Sequence, residues 1–230
     1  MKGYRIWAPW WMRATAAVNL AAVILTLMFL TGKGTGSLGE RMMYIHANKT
    51  VVFWSWGSNL LAVLALTGVF AVLTRVLDSG YRPVLQMALL IWIIGAMAWM
   101  LHDIIQMTFM PALSQMFLEV PTERMAGYII QWEALLGKLL GVFSCSCFAV
   151  SGYIYTAVMY RTDHFSNRVA LYSLAVWSFV LLSSLAFRWS ENLLPWLTAC
   201  SLLLTVPWSW FLAKEIIRNR KESPVATEKG

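Results

Sequence analysis

Hydrophobic and polar positions in this chain are segregated on the scale of whole helices rather than of single turns. Six long apolar runs, at about 14–31, 51–74, 83–110, 127–160, 168–187 and 193–213, are separated by short polar stretches. A helix needs roughly 20 apolar residues to cross the hydrocarbon core of a bilayer. The pattern therefore predicts an all-α integral membrane protein with six transmembrane helices. The fourth run is too long for a simple crossing, and its first turns, "GYIIQWEALLGK", carry Glu133 and Lys138. Those turns are expected to project beyond the hydrocarbon or to line a protected cavity. The last segment is polar and contains a proline, so residues 214–230 read as a disordered basic cytoplasmic tail. Residues 1–213 read as one six-helix transmembrane domain, with no internal repeat or linker to divide it.

Composition agrees with this picture. Of 230 residues, 59% are hydrophobic and only 13% charged, more apolar surface than a soluble domain hides. The thirteen tryptophans are expected mostly at the membrane–water interface, where an indole keeps its N–H wet. A net charge of +7 would otherwise suggest nucleic acid. Here many of the cations flank apolar runs, so the bilayer is the expected partner and nucleic acid is not. With both termini on one side, twelve Lys and Arg fall there, among them Lys2, Arg13, Arg75, Arg161 and Lys214. Five fall on the other side: Lys33, Arg41, Lys49, Arg124 and Arg188. The positive-inside rule then places both termini in the cytoplasm and loops 31–50, 111–126 and 188–192 outside. No small-residue cleavage site closes the first run, which reads as a retained helix rather than a removed signal peptide. Cys145, Cys147 and Cys200 lie inside apolar runs without redox or zinc spacing, and are expected to be packing residues.

That orientation gathers the unusual residues at the outer face. His46 stands just before the second span, and is either an interfacial side chain or an axial haem ligand, for which imidazole is the usual donor. His102 lies within "MAWMLHDIIQMTF", where an ionisable group is costly and faces the bundle interior or a cavity. It reads as a snorkelling side chain, a second metal ligand or a proton-handling group. Asp103 is turned about 100° from His102 around the helix, so it is not automatically the histidine's partner. Glu133 and Lys138 are five residues apart, which is not an i,i+4 pair, and each is expected to pair with another helix. No Ser-His-Asp ordering, zinc spacing or phosphate loop points to an enzyme of soluble substrates.

The stretch "ERMMYIHANKT" carries a more specific signal. An arginine, two apolar residues and Tyr-aliphatic-His follow a first span and an outer loop, immediately before a second span. This resembles the cytochrome c maturation protein C (haem exporter protein C) family, within the wider family of cytochrome c assembly membrane proteins. Six spans, internal termini and the chain length fit as well. The resemblance implies haem as cofactor or cargo, with His46 as axial ligand and Arg41 and Tyr44 beside it. The Arg41 guanidinium is suited to a haem propionate. It further implies a multi-pass protein of the bacterial cytoplasmic (inner) membrane, working with other cytochrome c biogenesis proteins in haem presentation or transfer. The chain departs from the family in lacking its tryptophan-rich outer segment, in whose place only Trp132 with Glu133 stands, while Trp189 with Asn192 stands where the family has a Trp- and Asn-containing segment. Phe187 and Arg188 occupy the neighbourhood of the family's second histidine. His102 is then the candidate second ligand, expected to share one outward-opening cavity with His46.

Two other readings remain. One is a respiratory-chain subunit related to the haem–copper oxidases, suggested by "HANKTVVFWSWG", although three histidines in all do not furnish the deep pairs such a centre needs. The other is a small-solute transporter whose path Asp103, Glu133 and Lys138 would line, without an inverted repeat or a broken helix pair to support it.

Overall fold

The computed structural model describes residues 4–31, 36–162, 165–187 and 193–222. Among them the regular structure is helical throughout: α1 (Tyr4–Leu25), α2 (Leu38–Ala47), α3 (Lys49–Val76), α4 (Arg82–Glu119), α5 (Glu123–Gly137), α6 (Cys145–Arg161), α7 (Asn167–Ala186) and α8 (Leu194–Glu222). Two π-helical segments, Thr26–Leu30 and Lys138–Ser144, prolong α1 and join α5 to α6. Six continuous stretches are long and apolar enough to cross a membrane, in the places expected from the six apolar runs.

Local chemistry starts these helices. Ser37 and Glu40 form a reciprocal capping box at α2, with Ser37 N donating to the Glu40 carboxylate at 2.7 Å. Thr122 caps α5 and Ser166 caps α7 through their hydroxyl oxygens. Pro83 sits in the first turn of α4, where no backbone N–H is needed.

Packing follows chain order and closes a ring: α1 lies between α8 and α3, α3 meets α4, α4 meets α6, α6 meets α7, and α7 returns to α8. The middle of the ring is filled by aromatic side chains. Phe70 of α3 stacks on Trp92 of α4 at 3.9 Å between centroids, and Trp92 stacks on Phe148 of α6 at 4.2 Å. Trp177 of α7 and Trp208 of α8 complete the cluster edge to face at 5.3 Å. Tyr155 donates to the carbonyls of Leu85 and Phe70 and shares a short hydrogen bond with Thr74, which ties its hydroxyl down. This is a packed core rather than a pore.

Three sequence expectations change. The outer loop expected over 111–126 is mostly helix, because α4 runs on through Pro111 to Glu119. Proline removes one backbone hydrogen bond there, and the turns beyond it are held by packing of Met110 and Leu113 against Met42, Ile45 and Ile129. At about 1.5 Å per residue, the 38 residues of α4 span about 57 Å, well past a hydrocarbon core of roughly 30 Å. The polar end is the second change. The α8 helix continues to Glu222, steadied where the Glu215 carboxylate accepts from Ser166 N at 2.7 Å and pairs with Arg218, while 223–230 lie outside the described residues. Third, the tryptophans do not all sit at the interface: Trp56, Trp92, Trp99, Trp177 and Trp208 are buried, whereas Trp7, Trp10, Trp11, Trp54, Trp196 and Trp210 are exposed. Filling a six-helix ring takes side chains larger than leucine, and indole supplies them.

Candidate functional site at the α2 end of the bundle

The loop between the first two spans builds a small helical platform. Met42 and Ile45, three positions apart on α2, are fully buried against Met110, Leu113 and Ile129. On the flank of α2, the Tyr44 hydroxyl donates to the Phe29 carbonyl at 2.9 Å, tying the helix to the end of the first span. Burial lifts that hydroxyl above the ordinary tyrosine range. Arg41 Nη1 meets Glu133 Oε2 of α5 at 2.9 Å. The partner that Glu133 needed on another helix is therefore Arg41. At Asn48 the chain bends directly into α3, with Asn48 Nδ2 donating back to the Tyr44 carbonyl at 3.0 Å.

Anchored on that side, α2 presents its other face outward. Met43, His46 and Ala47 are exposed, followed across the bend by Thr50, Phe53 and Trp54. Phe53 and Trp54 meet edge to face at 5.7 Å, so the exposed imidazole is followed by an exposed aromatic pair. Trp54 lies outside and Trp56 inside, as their two-residue spacing requires. Trp132 is half-buried on α5, edge-on to Phe109 at 5.9 Å and Tyr128 at 6.1 Å.

His102 belongs to different surroundings. Both it and Asp103 are completely buried, and His102 Nδ1 lies 2.9 Å from Asp103 Oδ1. The two side chains converge although their Cα atoms are a third of a turn apart, because neither has an outlet to water. The Trp56 ring stands edge-on to the imidazole at 5.0 Å. The Trp99 indole is a polar neighbour of the Asp103 carboxyl one turn back, although its Nε1 and Asp103 Oδ2 stop short of a hydrogen bond.

The predicted site residues thus divide. Arg41, Tyr44 and His46 share one short helix, and Arg41 brings Glu133 and its neighbour Trp132 to it. A fully buried His102 does not open on the outer cavity expected to hold both histidines. Arg41 is engaged by a carboxylate, so it is not simply waiting for a propionate. Lys138 is exposed at the start of the π-helical segment. Trp189, Arg188, Glu191, Asn192 and His164 lie outside the described residues. Among the described residues no group of three or more His, Cys, Asp or Glu is placed to hold a metal ion. Sequence reasoning missed the pairing of Asp103 with His102, for which burial of both was the only available signal. No family model matches the chain, and neither a curated protein nor a solved structure matches it.

Proposed function

We propose that this chain is a haem-handling membrane protein of cytochrome c biogenesis that presents haem at the α2 end of its bundle. One observation carries the reading: His46 is an exposed imidazole on a short helix fixed to the bundle on its opposite side. An imidazole is a good axial donor, and a rigid helix gives it a defined place at the mouth of α3. The residues present fit haem through a single protein ligand. Phe53 and Trp54 offer an apolar edge nearby, and Tyr44 and the Arg41–Glu133 pair hold the ligand helix in position. A haem held by one exposed ligand is readily released, which suits transfer to another membrane protein. On this reading His102 is a structural residue rather than the second ligand.

The test is the visible spectrum of detergent-purified protein from haem-replete cells. A Soret band lost in His46→Ala, with membrane insertion intact, supports the proposal; a colourless wild type sinks it. A second reading, a small-solute transporter, draws on the buried His102–Asp103 pair, since ionisable groups inside a span commonly mark a transport path. Colourless protein whose solute uptake depends on Asp103 would favour it.

A further inference from the structure

A groove of about 360 Å³ runs along the outside of the bundle between the start of α1 and the end of α3. Trp7 and Trp11 form its wall, Gly68, Ala71 and Val72 its floor, and Arg75 closes it in the last turn of α3. Gly68 explains the construction. A Cβ there would lie 2.4 Å from Trp11 Nε1, so the missing side chain is what lets the indole sit against α3. Trp11 Nε1 donates to the Ala65 carbonyl at 3.1 Å, and Trp7, one turn earlier, meets the Trp11 ring edge-on at 6.5 Å. The wall is therefore locked by packing and by a hydrogen bond, yet both rings stay exposed at 44% and 40%. In a six-span bundle such rings face lipid.

Charge identifies the occupant. Arg75 is exposed at the mouth of the groove, and the same end of the bundle carries Arg13, Arg82 and Arg161. Arg13 lies over the rings of Trp10 and Trp210, at 5.5 and 5.4 Å, and Arg161 over Tyr81 at 5.9 Å. A cationic rim above an apolar, indole-walled groove complements an anionic head on an acyl chain. Guanidinium suits a phosphate bidentately, and indole is at home at headgroup depth.

We propose that this groove is a binding site for one anionic phospholipid, with its phosphate on Arg75 and an acyl chain laid along Ala71 and Val72 beside Trp7 and Trp11. Neither the position nor the chemistry depends on haem handling, so the two proposals stand or fall separately.

Native mass spectrometry of the full-length protein, released from detergent after incubation with equimolar phosphatidylglycerol and phosphatidylcholine of matched chains, tests it. Wild type should retain phosphatidylglycerol over phosphatidylcholine by about fivefold, the scale of one cation's attraction to an anionic lipid. Arg75→Gln should erase that preference. Trp7→Ala, at an exposed ring, should lower retention of both lipids without unfolding the protein, and Arg124→Gln at the opposite end should leave the preference intact. Equal retention by wild type, a preference that survives Arg75→Gln, or one that Arg124→Gln abolishes would overturn the site. Displacement of the lipid by inorganic phosphate at matched concentration would overturn it too, since the occupant would then be a free anion.

Discussion

Arg41 and Glu133 meet at 2.9 Å between α2 and α5, with 24% and 17% of their side chains exposed. The α2 helix lies between the first two spans and α5 opens the fourth, so this ion pair ties the α2 platform to that span. It also decides what Arg41 does. A guanidinium already held by a carboxylate positions α2, and with it His46.

The first prediction separates a positioning role from direct contact with haem. Arg41→Ala and Glu133→Gln should each lower stability by about 1 kcal/mol, between the values typical of exposed and buried pairs. The double variant should lose little more than either single one, as coupled partners do. If Arg41 only positions α2, Glu133→Gln weakens the Soret band as Arg41→Ala does. A band strengthened by Glu133→Gln would show instead that releasing the guanidinium frees it for a propionate.

A second prediction concerns pH. The Tyr44 hydroxyl donates to Phe29 O, and only its protonated form has that proton to give. Burial raises its folded-state pKa above the usual tyrosine value. A raised pKa means that the tether's contribution is complete below the unfolded value of about 10 and is lost as pH rises through the folded one. Thermal unfolding of wild type should therefore weaken above about pH 10 more steeply than that of Tyr44→Phe. The variant itself should be less stable at neutral pH by about 1 kcal/mol, the net worth of one hydrogen bond. Parallel alkaline slopes for the two proteins would show that Tyr44 is not the group involved.

The six spans are legible in the sequence because burial in lipid demands an uninterrupted apolar run, which needs no tertiary knowledge to recognise. The platform at the α2 end is not legible in the same way. The third apolar run ends at 110, and the helical turns beyond it pack against α2 and α5, which no local pattern announces. Position alone suggested that His46, His102 and Glu133 gather at one end, yet it could not say which are exposed. His46 stays outside because Met42 and Ile45 claim the buried face of α2. His102 goes inside because α4 turns that position toward Trp56. Glu133 finds Arg41, a residue 92 positions away, and no local spacing encodes that contact.

The His102–Asp103 pair supplies a third prediction. Both side chains are completely buried, so removing one takes a 2.9 Å hydrogen-bond partner from the other where water does not replace it. Asp103→Ala should cost about 1–3 kcal/mol, whereas Asp103→Asn, which keeps an acceptor oxygen for the imidazole, should cost less. Unfolding in detergent measures the difference. His102→Ala should leave the Soret band in place, in contrast to His46→Ala. Loss of the band in properly inserted His102→Ala protein would return this histidine to the ligand set.

The last prediction tests the closed ring itself with two glycines. At Gly152 of α6 an added Cβ would fall 2.2 Å from the Trp177 ring. That ring has nowhere to go: its Nε1 donates to Ser173 Oγ at 3.0 Å, and it meets Phe70, Trp92 and Trp208 within 5.7 Å between centroids. Gly152→Ala must therefore push α6 and α7 apart, at a cost of about 1–3 kcal/mol for overpacking. At Gly127 of α5 nothing lies within 4 Å of the same addition. There the methyl group only stiffens the unfolded chain, and Gly127→Ala should gain about 0.5–1 kcal/mol. Melting curves of the two variants in the same detergent should shift in opposite directions. Equal shifts would mean that α6 and α7 are not held together through Trp177, and that the centre of the ring is loose enough to carry water.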